Sequence, residues 1–125
     1  MDLYRLVREV REARTRFPNL DSYPTESGSL LVLVALQTSL GRMYTLEITF
    51  EHYPNLEPRV RVRKPNLDFR APHQYEGSRI CYIHPKLWNP GLHNLTFVIA
   101  RSAKWLNKYE VWRNSGNWPG AGHDH

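Results

Sequence analysis

A strict alternation of apolar and polar side chains near the middle of the chain constrains the fold more than any other feature. This is the period of a strand with one buried face. The apolar positions are Tyr44, Leu46, Ile48 and Phe50. An unbroken apolar run at 30–37 precedes them and is typical of a strand covered on both faces. A third strand is predicted at 59–63, where valines alternate with arginines that line its open face. Together these runs predict an antiparallel meander.

Helical periodicity lies on both sides of the meander. The first helix is predicted from residue 3 to 17, with Asp2 as its cap and Pro18 at its end, and Glu9 among the charged residues facing away. Its apolar face consists of Leu3, Leu6, Val7, Val10, Ala13 and Phe17. The second helix is predicted at about 95–112, with Ser115-Gly116 stopping it. Residues 19–29 are predicted to be a loop, and residues 64–77 show little periodicity.

Helices segregated from an antiparallel sheet define an α+β fold. The 125 residues, of which 41% are hydrophobic, suffice for one domain over 1–125, with 118–125 predicted as a flexible tail. The first residues contain scattered charges and no long apolar run, so neither a secretory signal nor a membrane span is predicted. Cys81 is the one cysteine, which excludes an intramolecular disulfide and is typical of a reducing cytoplasm.

The order of these elements and of several short motifs resembles the ubiquitin-conjugating (UBC) family over nearly the whole chain. The motifs are, in order, the turn from Tyr53-Pro54 to Pro58, His73, the run Gly77-Ser78-Arg79-Ile80-Cys81, and Trp88-Asn89-Pro90. The resemblance implies a UBC-like fold with Cys81 in an irregular active-site segment. From the residues alone, a buried structural role for Cys81 between Ile80 and Tyr82 stays open.

By this resemblance the chain is a transferase that carries a protein C-terminus as a thioester on Cys81 and passes it to an amine. Such chemistry requires an accessible thiolate and a donor to the oxyanion formed during aminolysis. The chain reads His73-Gln74-Tyr75 where the family has His-Pro-Asn, so another donor is expected. The candidate catalytic residues are therefore Cys81, His73, His84 and Asn89, with Gln74 and backbone amides as further donors and Arg79 as a charge favouring the thiolate.

Ending after one C-terminal helix is similar to short bacterial members of the family found in CBASS antiphage defence operons. This likeness implies two alternative acyl partners: a ubiquitin-like modifier, or the C-terminus of a cGAS-like nucleotidyltransferase that is primed by conjugation. It also implies that an activating enzyme docks on the N-terminal helix, which contains Arg5, Arg8, Arg11, Arg14 and Arg16. The alternative function is a non-catalytic UBC-fold module that only binds a ubiquitin-like partner.

Two other functions receive less support. A basic strip could bind nucleic acid, but no binding motif or interleaved aromatic residues accompany it, so a solvated sheet face is expected. The strip comprises Arg59, Arg61, Arg63, Lys64 and Arg70. His123 and His125 do not make a zinc set with a distant cysteine. No metal and no cofactor are therefore predicted.

Overall fold

The computed structural model describes residues 2–120, and within this range a helix, four strands and a second helix follow one another. They are α1 (Leu3–Arg16), β1 (Leu20–Pro24), β2 (Leu30–Gln37), β3 (Met43–Thr49), β4 (Arg59–Lys64) and α2 (Leu95–Ser115). The architecture is α+β, which confirms the predicted fold class and the predicted order of elements.

The strands form one antiparallel sheet in the order β1-β2-β3-β4. Val32 lies opposite Ile48, and Ile48 lies opposite Val60, so these three buried side chains form a row across one face. The opposite face of β2 is only half-buried, which corrects the prediction that both faces are covered. The predicted loop at 19–29 is also wrong in part, because residues 20–24 pair with β2 as an edge strand.

Helix α1 is capped by Asp2, whose carboxylate accepts the Arg5 N–H at 3.0 Å. It ends at Arg16, before Pro18, as predicted. Its buried face differs from the prediction, however. The side chains that it buries are Leu6, Glu9, Val10 and Ala13. Leu3 and Val7 are each 43% exposed, whereas Glu9, expected to face solvent, is 3% exposed.

Helix α2 is capped by Asn94, whose side chain accepts the Phe97 N–H at 2.9 Å, and by Gly116, which has the left-handed conformation. Its fully buried residues include Leu95, Val98, Ile99, Trp105 and Leu106. The chain then returns to the domain, and Trp118 packs against Trp105 with ring centroids 5.3 Å apart. Trp118 is therefore not part of a free tail as predicted, and residues 121–125 of that tail lie outside the described range.

Candidate active site

The segment containing Cys81 is attached by hydrogen bonds to the edge strand β4 and to the turn that precedes it. The Ile80 N–H donates to the Val60 carbonyl at 2.9 Å. The Tyr82 hydroxyl donates to the Pro58 carbonyl at 2.6 Å. Ile80, Tyr82 and Ile83 are all buried. Apolar side chains on both sides of Cys81 thus anchor an otherwise irregular segment to the core.

Helix α2 contacts the part of this irregular segment that precedes Cys81, at residues 68–73. The Trp105 indole N–H donates to the His73 carbonyl at 2.9 Å, and the Cys81 N–H donates to the same oxygen at 2.9 Å. The Tyr109 hydroxyl accepts the Asp68 N–H at 2.8 Å. The His73 carbonyl is therefore the point at which α2 and the cysteine segment meet, and His73 lies beside Cys81 along the backbone.

The Cys81 thiol is buried and does not lie on an open surface. Cys81 is 9% exposed, and its Sγ donates to the Ile83 carbonyl at 3.5 Å. The Tyr75 hydroxyl donates to Sγ at 3.3 Å. In this conformation the thiol is covered, which corrects the expectation of a freely accessible one.

Tyr75 reaches the thiol because the chain reverses between it and Cys81. The Tyr75 N–H donates to the Arg79 carbonyl at 2.7 Å, closing a turn in which Gly77 and Ser78 have φ values of 73° and 61°. The Arg79 guanidinium lies over the Tyr75 ring, 4.5 Å from its centroid. The hydrogen bond to Cys81 and burial raise the pKa of Tyr75 to about 12, so its hydroxyl stays a donor at neutral pH.

Sequence reasoning missed Tyr75 as a site residue. The available signal was the pair Gly77-Ser78 between Tyr75 and Arg79, since Gly and Ser favour tight turns. A turn at that place brings Tyr75 back alongside Cys81.

His73 contributes its backbone carbonyl to the site, as described above. Its φ of 60° is unusual for a residue other than glycine. Its ring packs against Trp118, with the ring centroids 5.1 Å apart. Burial lowers the pKa of His73, and the positive charge of Lys108 lowers it further. Both effects favour the neutral imidazole, which has one N–H donor and one acceptor nitrogen.

The remaining predicted donors have local hydrogen-bond partners. His84 Nδ1 accepts the Lys86 N–H at 3.2 Å, and the Asn89 side chain accepts the Gly91 N–H at 2.8 Å. Both residues are exposed. The Gln74 amide donates to the carbonyls of Asp68 and Ala71 at 2.7 and 3.2 Å, so it braces the neighbouring turn.

The tryptophan–proline element supports the site from the side of the proline turn. The Trp88 indole N–H donates to the Pro54 carbonyl at 2.8 Å, and its ring lies 5.9 Å from that of Tyr53. Trp88 and Tyr53 are both buried. Their packing connects the proline turn to the stretch between Cys81 and α2.

The charges of the basic strip are largely matched by carboxylates. Arg61 and Arg63 reach Glu47 at 2.7 and 3.8 Å, and Arg59 reaches Glu51 at 3.7 Å. Arg70 pairs with Asp68 at 2.7 Å. This pairing supports the interpretation of the strip as a solvated sheet face.

Within residues 2–120, no three histidine, cysteine or acidic side chains cluster as metal ligands would. The His123–His125 pair considered for zinc lies outside the described range. Neither of the helices in this range is long and apolar enough to cross a membrane.

Comparison with solved structures places the fold in the ubiquitin-conjugating class. The chain is similar to a structure described as a complex of the Vps23 UEV with ubiquitin, with a TM-score of 0.59 and 16% sequence identity. The match covers 82% of this chain and 81% of that one. The family is more specific: the chain belongs to the type II CBASS E2 proteins, whose model matches residues 9–125. Both findings confirm the resemblance. No significant match occurs among curated proteins.

Proposed function

We propose that this protein is an E2-like transferase of CBASS antiphage signalling that carries a protein C-terminus as a thioester on Cys81 and transfers it to an amine. One observation carries the proposal. In a chain of the E2 family, the single thiol lies in the irregular segment between the sheet and α2. The cysteine thiolate is the nucleophile in thioester formation, so this residue is the one that carries the acyl group.

The reaction has two steps. In loading, Sγ attacks the carbonyl carbon of an activated C-terminus and displaces its leaving group. In discharge, a lysine amine attacks the thioester carbonyl, the C–S bond breaks with its electron pair on sulfur, and the amine proton passes to solvent. The second step develops negative charge on the carbonyl oxygen, so a positioned donor accelerates it.

We assign the oxyanion-donor role first to His73, with His84 and Asn89 as the further candidates from the sequence. His73 comes first because its backbone carbonyl accepts the Cys81 N–H, which places this residue beside the nucleophile. His84 and Asn89 accept the backbone N–H groups of Lys86 and Gly91 through one side-chain atom each and keep side-chain N–H groups as donors, so they stay as the alternatives.

The proposed acyl partner is a ubiquitin-like modifier or the C-terminus of a cGAS-like nucleotidyltransferase, and the proposed compartment is the cytoplasm. The exposed side of α1 is the proposed docking surface for an activating enzyme. There the apolar side chains of Leu3, Tyr4 and Val7 lie beside Arg8 and Arg11 and line a shallow concavity. Apolar surface bordered by positive charge suits a partner with an acidic rim.

A second candidate function is a binding module without catalysis. The burial of Cys81 favours it, because a covered thiol reacts slowly. The Vps23 UEV, which shares the fold, was solved in a complex with ubiquitin. On this alternative, the chain holds a ubiquitin-like partner on its surface and Cys81 is a core residue.

The two functions are separated by trapping the covalent intermediate. Tagged protein is isolated from its native host at low pH and run on gels with and without reductant. We expect a reducible adduct that Cys81→Ala abolishes with little change in thermal melting. An adduct that persists in Cys81→Ala contradicts the thioester assignment, and a reversible partner complex without any adduct supports the binding module.

The donor assignment is tested on the loaded protein. His73→Ala should load normally but discharge to lysine at least about tenfold more slowly, since an oxyanion donor acts on the transition state. His84→Ala and Asn89→Ala are the matched variants and should change the discharge rate less. Equal discharge rates in wild type and His73→Ala would contradict the role of His73.

A further inference from the structure

We propose that Tyr75 is a catalytic residue, and that its hydroxyl, 3.3 Å from Cys81 Sγ, stabilises the Cys81 thiolate as nucleophile and as leaving group. This inference rests on the proposed thioester chemistry and adds a residue to it. The hydroxyl touches the reacting atom itself, whereas the donors proposed from the sequence were meant for the carbonyl oxygen.

The surroundings hold Tyr75 in place for this role. Its backbone N–H is bonded to the Arg79 carbonyl, and the Arg79 guanidinium covers one face of its ring at 4.5 Å. The residue is nevertheless 41% exposed. A residue recruited only to fill the core would be covered on all sides. Tyr75 instead contacts the buried thiol with its hydroxyl and leaves part of its surface to solvent.

The hydrogen bonds of Sγ differ between the thiol and the thiolate. As a thiol it donates to the Ile83 carbonyl at 3.5 Å and accepts from Tyr75. After the proton is lost, the carbonyl has nothing to accept, and the Tyr75 O–H becomes a donor to an anion. Hydrogen bonds to charged acceptors are about twice as strong as those between neutral groups. The contact with Tyr75 is therefore stronger in the thiolate.

The charged and titratable groups facing this pair are Arg79, Glu57 and Tyr82. The charge of Arg79 lowers the pKa of Tyr75, and the charge of Glu57 raises it. Tyr82 directs its hydroxyl to the Pro58 carbonyl and so does not donate to Sγ in this geometry. Tyr75 is thus the hydroxyl aimed at the sulfur.

Tyr75 keeps its proton in both steps. In loading, it donates to the thiolate that attacks the activated carboxyl group, a thioester or an acyl adenylate, and the displaced thiolate or AMP leaves. In discharge, the new C–N bond forms as the C–S bond breaks, and Tyr75 donates to the sulfur that receives the electron pair. The amine proton goes to water.

The test measures iodoacetamide alkylation of the native protein against pH, which needs no protein partner. In Tyr75→Phe the ring still covers the thiol and only the hydroxyl is lost. We expect the midpoint of the alkylation profile to move up by about 0.5 to 1 pH unit, equivalent to a threefold to tenfold smaller thiolate fraction at pH 7. Tyr23→Phe is the matched control, because Tyr23 is similarly exposed, at 47%, and lies on β1 at the far edge of the sheet, so its midpoint should stay within about 0.2 unit.

Tyr75→Ala distinguishes hydrogen-bond donation to the sulfur from steric shielding of the thiol. If Tyr75 only shields the thiol, Tyr75→Ala raises the maximal alkylation rate while Tyr75→Phe leaves the midpoint unchanged, and that pair of results overturns the proposal. If the Tyr75 hydroxyl donates to the sulfur, both variants raise the midpoint of the alkylation profile. The alkylation profile is independent of the adduct experiment on Cys81→Ala, so failure of the thioester assignment and failure of the Tyr75 assignment are seen separately.

Discussion

Glu9 provides the sharpest prediction about stability, because a single buried carboxylate connects three parts of the fold. Its Oε1 accepts the Tyr53 hydroxyl and, at 2.8 Å, the Leu95 N–H, and its Oε2 accepts Arg5 Nε. Tyr53 belongs to the proline turn, and Leu95 is the first residue of α2. A carboxylate at a helix N-terminus also interacts favourably with the helix dipole.

The expected loss follows from the groups that Glu9→Ala leaves without an acceptor. A buried donor deprived of its partner costs about 1–3 kcal/mol, and both the Tyr53 hydroxyl and the Leu95 N–H lose theirs. Arg5, which also donates to the His93 carbonyl at 2.8 Å, loses a partly buried ion pair. Removing one partner of a buried pair typically costs about 3–5 kcal/mol, and we expect a loss in that range.

Urea unfolding measures this loss. With an m-value of about 1–3 kcal/mol/M, the midpoint should fall by about 2 M in Glu9→Ala, and by less in Glu9→Gln, which keeps the shape and one acceptor oxygen. Glu12→Ala is the matched control, because Glu12 is exposed on the same helix. Its effect should stay within about 0.5 kcal/mol. Equal midpoints for Glu9→Ala and Glu12→Ala would refute the assignment of Glu9 as the acceptor that joins these elements.

Two further predictions concern the surroundings of the site. Trp118→Ala should raise the pKa of His73 toward its usual value, because burial is the main cause of the lowered pKa and Trp118 packs against the ring. An NMR titration in which the His73 midpoint is unchanged would contradict this prediction. Replacing Arg59, Arg61 and Arg63 together by alanine should leave Cys81 loading unchanged, since these side chains pair with Glu47 and Glu51 on the open sheet face. Salt-dependent nucleic-acid binding by the wild type, measured by fluorescence anisotropy and lost in this variant, would instead support a nucleic-acid function.

Part of the candidate site could be predicted from the sequence. Cys81 and His73 were both singled out, and the structure brings them together through the bond from the Cys81 N–H to the His73 carbonyl. Tyr75 was harder to predict as a site residue from the sequence. Its position depends on a turn at Gly77-Ser78 and on a cation above its ring, and neither has a periodic pattern in the sequence.

The sequence by itself determined the two helices, the strands β2, β3 and β4, and their order. Each of these elements repeats its apolar side chains at the period of its own backbone, and that repeat is a local property. The ends of the helices are also determined by local sequence. Pro18 cannot continue a helix, and Gly116 adopts the left-handed conformation that ends one.

Only the tertiary structure decided which polar groups are buried and which segments pair at an edge. The edge strand β1 has no alternating pattern of its own and is a strand because β2 supplies its hydrogen bonds. Glu9 looks like a surface residue of α1, yet partners 44 and 86 residues away make its burial favourable. A buried polar group is stable only when its hydrogen bonds are satisfied, and those partners become neighbours only once the chain has folded.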